Sequence, residues 1–202
     1  MSRDIFIGDV HGCYDELLAL ISKLNIDPAH DHLYLCGDMI NRGPKSLEVM
    51  EYLLDNPWIQ CILGNHEYYY LQGKKKSFLA LDEQFAKKRK SIRSYLKALP
   101  TYIETESWIL VHAGLKPGGL QSTPEVDRFT LRTLDDGRPW HHAYRGDKVV
   151  IYGHWAIQGL THSNNTWGLD SGCVYGGQLN ALILPEMNIV SESAHQVYHQ
   201  PT

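Results

Sequence analysis

Apolar runs and helical-period patterns take turns along the first half of the chain. The run IFI at 5–7 predicts a strand. Leu17, Leu18, Ile21 and Leu24 then recur at helical spacing, with Asp15 near the helix start. HLYLCG at 32–37 predicts a second strand. Pro44 suits a first helical turn, Leu47, Met50, Leu53 and Leu54 mark the next apolar face, and WIQCILG at 58–64 predicts a third strand. A strand–helix–strand–helix–strand order implies parallel pairing with helices packed on the sheet, an α/β arrangement. In the second half, one long helical pattern runs from about 78 to 99. Beyond Pro100 strands dominate: TYIET, WILVHA, KVVIYG, NTWGLD, QLNALILP and MNIVSES, separated by Gly and Pro turns. These predict a second, more antiparallel sheet. Residues 195–202 are polar and read as a loose tail.

The length of 202 residues accommodates one domain with a sizeable core, 1–202, and 43% apolar residues is ordinary for a globular protein. No apolar stretch approaches the ~18 residues of a membrane span. The N-terminus, MSRDIFIGD, lacks the apolar core and cleavage site of a secretory signal. Cys13, Cys36, Cys61 and Cys173 are scattered and form no CxxC pair. The expectation is reduced, mostly buried thiols in a cytoplasmic protein, not a disulfide framework or a zinc knuckle. Cys13 and Cys173 do flank candidate site segments, where oxidation would bear on activity. The net charge of -4 gives no general case for nucleic-acid binding.

Five segments share one form, an apolar run followed at once by a small residue or a metal-capable side chain: FIGDVHG, LCGDMINRG, ILGNHE, LVHAG and IYGHW. In open α/β sheets, ligands bind at the carboxyl ends of strands, where separate segments converge. Asp9 and His11 are two apart, so extended backbone points both the same way. Asp38 adds a hard ligand, Asn65 an amide oxygen, and His112 and His154 imidazoles. Mixed carboxylate and imidazole ligands suit manganese, iron or zinc. Six donors are too many for one catalytic ion with an open position. They suit two ions sharing a bridging carboxylate ~3.5–4 Å apart. Taken singly, Asp9-x-His11 is a turn and a cap, Asn65 a turn residue, and His112 or His154 a satisfied buried histidine. Five strand ends in order argue against that.

These segments resemble the calcineurin-like metallophosphoesterases, in the branch of the serine/threonine phosphatases and the symmetrical diadenosine tetraphosphatases, with their pattern GDxHG, GDxxxRG, GNHE, HAG and GH. The resemblance implies the metallophosphoesterase fold, a two-sheet mixed β-sandwich flanked by helices, with a helical cap segment over about 66–99. It implies that Asp9, His11 and Asp38 bind one divalent ion and Asp38, Asn65, His112 and His154 the other, manganese first, with iron or zinc also fitting. Asp38 is then the bridge. His66 matches the catalytic histidine that protonates the leaving oxygen. Arg42 matches a phosphate-binding arginine, as does Arg132, and Tyr175 aligns with an aromatic residue that borders the site. The implied mechanism is in-line attack by a metal-bridging hydroxide on phosphorus.

The substrate reading rests on one departure. Protein phosphatases of this family carry GDxxDRG, whereas this chain has Asn41 within GDMINRG. An amide oxygen accepts a hydrogen bond from His66 but lends no negative charge to an imidazolium. That fits the better leaving group of a nucleoside polyphosphate. YGHWA, NRGPKSLEV and LDSGCVYGGQLNAL also resemble the tetraphosphatases. The expected partner is a phosphorylated, nucleotide-linked small molecule, with no membrane, and with no nucleic acid beyond an RNA 5′ end. The alternative is a prokaryotic-type serine/threonine or dual-specificity protein phosphatase. The basic clusters 74–76 and 87–90 read as a solvated helix face. The competing expectation makes them a lid that attracts polyphosphate.

Overall fold

The computed structural model describes residues 2–73 and 78–201, so the lysines at 74–76 lie outside the described residues. The elements in chain order are β1 (Asp4–Ile7), α1 (Tyr14–Leu24), β2 (His32–Leu35), α2 (Ser46–Asp55), β3 (Gln60–Cys61), α3 (Asn65–Gln72), α4 (Leu79–Gln84) and α5 (Arg89–Ala98). Then follow β4 (Tyr102–Glu104), β5 (Trp108–Val111), α6 (Glu125–Thr130), α7 (Trp140–Ala143), β6 (Val149–Tyr152), β7 (Thr161–Ser163), β8 (Thr166–Gly168), β9 (Asp170–Ser171), β10 (Gln178–Leu184) and β11 (Asn188–Ser193).

The central strands carry apolar side chains on both faces, and that decides the layering. Successive side chains alternate across a strand. Ile5, Ile7, Leu33 and Leu35 therefore pack under the helices α1 and α2, in one cluster with Leu17, Leu20, Val49 and Leu53. Phe6, Tyr34 and Cys36 face the other way, onto Trp108, Leu110 and Ile151. Phe6 stacks on Tyr34 at 5.0 Å, and both rings meet the edge of Trp108, at 4.8 and 5.0 Å. Ile109, Val111, Val150 and Tyr152 form a third layer with Trp140 and Leu120. The result is a helix–sheet–sheet–helix sandwich, as the resemblance implies.

Sheet one has the order β11-β10-β1-β2-β3, with β9 paired to β10, and sheet two the order β4-β5-β6-β8-β7. β1, β2 and β3 are parallel as predicted. The expected second, more antiparallel sheet forms in part, with β4–β5 and β7–β8 antiparallel, but its membership differs. β10 and β11 join sheet one, where β10 lies antiparallel to β1. Sheet two is mixed, with β5–β6 and β6–β8 parallel. β10 is as apolar as β1, so it is suited to a sheet interior with both faces covered. The single helix expected over 78–99 is instead two. A turn in which Phe85 N–H and Lys88 N–H donate to Leu81 and Phe85 carbonyls separates them. Buried Phe85 anchors that turn, and four like charges at 87–90 would oppose one continuous helix.

The C-terminal residues are docked, not loose. Ala194 N–H donates to the Gly177 carbonyl, and the Tyr198 and His199 N–H groups both donate to the Val174 carbonyl. Glu16, buried in α1, accepts the Tyr198 hydroxyl at 2.8 Å and the His195 N–H at 2.9 Å. A polar sequence hides this because the partners are one buried carboxylate and backbone carbonyls. Among the described residues, no helix is long and apolar enough to cross a membrane.

Arg3, at the foot of β1, is tied to Asp31, just before β2. Its Nε donates at 3.0 Å to Asp31 Oδ1 and its Nη2 donates to Oδ2, while Asp27 N–H donates to the same carboxylate at 2.9 Å. The Arg3 guanidinium holds the Asp31 carboxyl at about 2. The folded value lies below the unfolded one. The stabilisation is therefore complete above about pH 4 and is lost as pH falls toward 2. Asp31→Asn is expected to lower the urea midpoint at neutral pH and to flatten its decline over that acid window. An unchanged acid slope would count against this pair.

Candidate active site

The donor-bearing loops leave the strands at one edge of the sandwich. β1 is followed by Asp9 and His11, β2 by Asp38, β3 by Asn65, β5 by His112 and β6 by His154. The backbone there is unusual. His11, Asp38, Asn41, Arg42 and His154 all have positive φ, between 46° and 76°, although none is glycine. Such residues store roughly 1–3 kcal/mol of strain each and persist only where surroundings over-determine them. Only Asn25, Asn164 and Met187 share this feature among the other described non-glycine residues, so the strain concentrates where the predicted donors lie. Gly64 and Gly153 permit the approach. A Cβ on Gly153 would lie 1.9 Å from Asp9 Oδ1, and one on Gly64 would lie 2.3 Å from Asp38 Oδ1.

Asp38 is the hub. Its Oδ1 accepts the His66 N–H in the first turn of α3 at 2.9 Å, where unpaired helix N–H groups favour an anion. That leaves Oδ2 facing His112 Nε2 at 3.5 Å, His11 Nε2 at 3.6 Å and His66 Nε2 at 4.0 Å. Two groups of donors share this carboxylate: His11, Asp38 and His66, and Asp38, His112 and His154, each within 4.8 Å. His154 Nδ1 and His112 Nε2 both meet Asn65 Oδ1, at 2.8 and 3.0 Å. Asp9 lies close by, with Oδ2 4.0 Å from His11 Nε2 and accepting the His154 N–H at 3.0 Å.

The donor set fits divalent cations. His11 Nδ1 and His112 Nδ1 lie 3.2 and 2.8 Å from the Ile40 and Cys36 carbonyls. They must donate there, so in the neutral rings Nε2 carries the unshared pair, as metal-binding histidines require. Asp9 Oδ1 is buried with no partner. Burial, together with the neighbouring Asp170 and Asp38 charges, pushes the Asp9 carboxyl well above the usual range. Burial likewise raises Asp170. Burial holds His11 well below the ordinary histidine value and brings His154 down to about 3. The set is not uniform, since the neighbouring imidazoles hold Asp38 well below the usual carboxylate range and Asp38 in turn raises His112, but Asp9, His11 and His154 are shifted toward the uncharged forms that a bound cation would reverse or exploit.

The remaining predicted residues surround a cavity of about 590 Å³ lined by Asp38, Arg42, Asn65, His66, Arg132, His154 and Tyr175, among others. Arg42 Nη1 lies 2.8 Å from His11 Nε2, and its guanidinium sits 5.4 Å above the Tyr175 ring. Arg132 is exposed, its Nη2 3.4 Å from the His154 carbonyl. Asp9, His11 and His112 are buried. None of residues 87–90 lines the cavity. Lys88 pairs with Glu51 and Arg89 with Asp82, as on a solvated helix face.

Asn41 differs from the sequence-based expectation. Its Oδ1 accepts the Arg42 N–H at 2.9 Å, so the amide nitrogen is the group that faces His66 Nδ1, at 3.0 Å. The amide donates and Nδ1 accepts, which places the proton of the neutral ring on Nε2, toward Asp38 and the cavity.

Two residues had no assigned role in the sequence. Glu67 is fully buried, and its carboxylate accepts four backbone N–H groups at 2.9–3.1 Å, from Asp38, Met39, Ile40 and Gly64. It caps its own helix and holds the Asp38 loop to it. Its place at the third position of α3, after Gly64, is the capping-box spacing that could have revealed it. Asp170 is a further buried carboxylate at a strand end, and LDSG has the same form as the other five segments.

The fold and this donor set define a metal-dependent hydrolase of phosphate ester or anhydride bonds. The chain belongs to the calcineurin-like phosphoesterases, whose family description matches residues 3–188 and whose centre is dinuclear. It is 32% identical to the asymmetrical bis(5'-nucleosyl)-tetraphosphatase PrpE of Bacillus subtilis (strain 168), with 99% of this chain and 98% of that protein aligned. It is 27% identical to the symmetrical bis(5'-nucleosyl)-tetraphosphatase of Vibrio parahaemolyticus serotype O3:K6 (strain RIMD 2210633), over 93% and 97% of the two chains. A crystal structure described as a candidate diadenosine tetraphosphatase superposes with a TM-score of 0.85 at 32% identity, covering 95% of this chain and 93% of that one.

Glu67→Gln keeps the shape of the side chain but points an NH2 at two of the four backbone donors. The expected cost is about 2–4 kcal/mol, read as a lower urea midpoint together with reduced metal content. A midpoint equal to that of the wild type would overturn the role given to Glu67.

Proposed function

We propose that this chain hydrolyses dinucleoside polyphosphates of the diadenosine tetraphosphate type. The observation that carries the substrate is the Asn41–His66 contact. The relatives named tetraphosphatase, of both cleavage types, support it. In this reading Asp9, His11 and Asp38 hold one divalent ion, and Asp38, Asn65, His112 and His154 the other, with Asp38 shared. Manganese is the expected metal, and iron or zinc also suit the donors. When bound, such a pair supplies an activated water near neutral pH and positive charge against the phosphoryl oxygens.

The chain's own groups do the rest. Arg42, over the Tyr175 ring and released from His11 Nε2 when that nitrogen holds a metal, presents its guanidinium to phosphate oxygens, and Arg132 contributes from the cavity rim. His66 donates a proton from Nε2 to the departing oxygen. With Nδ1 receiving the Asn41 amide, His66 acts as a neutral donor, weaker than an imidazolium backed by a carboxylate. A nucleotide phosphate leaves readily with such help, whereas a serine alkoxide does not. The protein-phosphatase alternative is accordingly not favoured. Four free, buried cysteines suit a reducing compartment, which we take to be the cytoplasm.

Chromatography of products from diadenosine tetraphosphate, with manganese-loaded enzyme, tests this. Either two ADP or AMP with ATP is expected, and the pair observed assigns the cleavage type. No cleavage alongside fast phosphopeptide turnover would overturn the reading. Asn41→Asp lets Nδ1 donate to a carboxylate. It should raise turnover on alkyl phosphates over aryl phosphates by roughly fivefold or more, and equal changes on both would contradict the leaving-group argument.

A further inference from the structure

The catalytic cavity has a second end that neither metal ligands nor phosphate-binding groups account for. Beyond His154 the chain makes a short turn bearing Trp155 and Ile157, and Pro201, at the end of the C-terminal segment, lines the same cavity. Between them, Gly176 and Gly177 contribute a stretch without side chains. Resting on the dinucleotide reading above, we propose that this end is a nucleobase slot, with Trp155 and Ile157 as one wall, the 194–201 segment as the other and the two glycines as the floor.

Four observations support it. First, Ile157 is 91% exposed, more than any other large apolar side chain described. Isolated exposed apolar residues are ordinary, but this one lines the catalytic cavity and is held in place. Gln158 N–H donates to the Trp155 carbonyl and Gly159 N–H to the Ala156 carbonyl, both at 3.0 Å, while Thr161 Oγ1 donates to the Gln158 carbonyl at 3.2 Å. The ledge is therefore built, and its outer face is left uncovered.

Second, the opposite wall is fastened. The buried Glu16 carboxylate and the Val174 carbonyl hold His195, Tyr198 and His199, which carries Pro201 to the cavity. Third, the floor has to be glycine. A Cβ on Gly177 would sit 1.9 Å from the Ser171 carbonyl oxygen, and one on Gly176 would meet Val197 at 2.7 Å. The two glycines are therefore fixed by their packing on Ser171 and Val197, and their backbone borders the cavity. Fourth, one face of Tyr175 is already covered by Arg42, at 5.4 Å. That face is closed to an entering base, whereas the side chain of Ile157 is uncovered.

The spacing fits a nucleotide. Ile157 is three residues from His154, so the ledge lies within ~10 Å of the donor cluster along the chain. That is the reach from a phosphate at the metals to the base of its own nucleoside. A planar, weakly polar ring gains from contact with aromatic and apolar side chains regardless of base identity. The slot is therefore expected to accept purines broadly and to discriminate against base-free phosphates.

The test is calorimetric binding of AMP and of ribose 5-phosphate to the manganese-loaded protein. The wild type is expected to bind AMP at least roughly tenfold more tightly than ribose 5-phosphate. Ile157→Ser should cut that ratio about fivefold, and Ile157→Met should restore most of it. Pro201→Ser should lower it less. Because Ile157 is exposed, these variants keep the fold, which thermal melts verify. A wild-type ratio near one, or a ratio that Ile157→Ser leaves unchanged, overturns the slot even if dinucleotide turnover is fast. A ratio that falls in Ile157→Ser supports the slot, and if the wild type then fails to cleave diadenosine tetraphosphate, it is the dinucleotide reading alone that fails.

Discussion

One carboxylate oxygen, Asp38 Oδ2, is the point on which several strand ends must agree. Three imidazole nitrogens approach it within 3.5–4.0 Å. Two of those rings have their other nitrogen committed to a backbone carbonyl. The arrangement crowds three imidazoles around one buried charge. It endures because the backbone gives it no freedom. The other carboxylate oxygen is tied to the N-terminus of α3, and Glu67 ties the Asp38 loop to the same turn through four N–H groups. The left-handed backbone at His11, Asp38, Asn41, Arg42 and His154 shows how far local preference is overridden. Cations bound among these donors would add to the stability of that arrangement.

The sandwich makes this convergence affordable in structural terms. Strands with two apolar faces require cover on both sides, and a helix–sheet–sheet–helix stack supplies it. Once β1, β2, β5 and β6 are packed in this way, their carboxyl ends emerge along one edge, and the loops that follow meet without long excursions. Phe6, Tyr34 and Trp108 lock the two sheets together. The position of His112 and His154 relative to Asp9 and Asp38 is thus set by packing of large rings well away from the donors.

How much of this could be read from the chain depends on whether the relevant force is local. The apolar runs that end in Gly-Asp, Gly-Asn or His were legible, because a strand end and its donor are adjacent in sequence. The parallel start of sheet one was legible from strand–helix alternation. Assignment of β10 and β11 to sheet one was not, since QLNALIL is equally apolar toward either partner and the choice depends on β1 being available. The break between α4 and α5 turns on Phe85 finding a core, which helical periodicity does not encode. Glu16 holding the C-terminal segment is a contact between residues some 180 positions apart, with Tyr198 as its far partner. Asn41 is legible as a departure, but its orientation is not, because that depends on the Arg42 N–H, a backbone donor that motif spacing does not place.

That orientation links a backbone hydrogen bond to the choice of substrate. The Arg42 N–H lies against the Asn41 amide oxygen, which leaves the amide nitrogen toward His66. A carboxylate at the same position could accept from both Arg42 N–H and His66 Nδ1 at once, whereas an amide can accept only through its oxygen. The single change from two equivalent acceptors to one acceptor and one donor therefore inverts the hydrogen bond at Nδ1 and fixes the proton on Nε2. In the proposed reaction a neutral imidazole in that tautomer would still hand a hydrogen bond to the leaving oxygen, but would yield its proton reluctantly. The chemistry left to such a site is cleavage in which the departing group is already a stable anion, and a phosphoanhydride meets that condition where an alkyl ester does not.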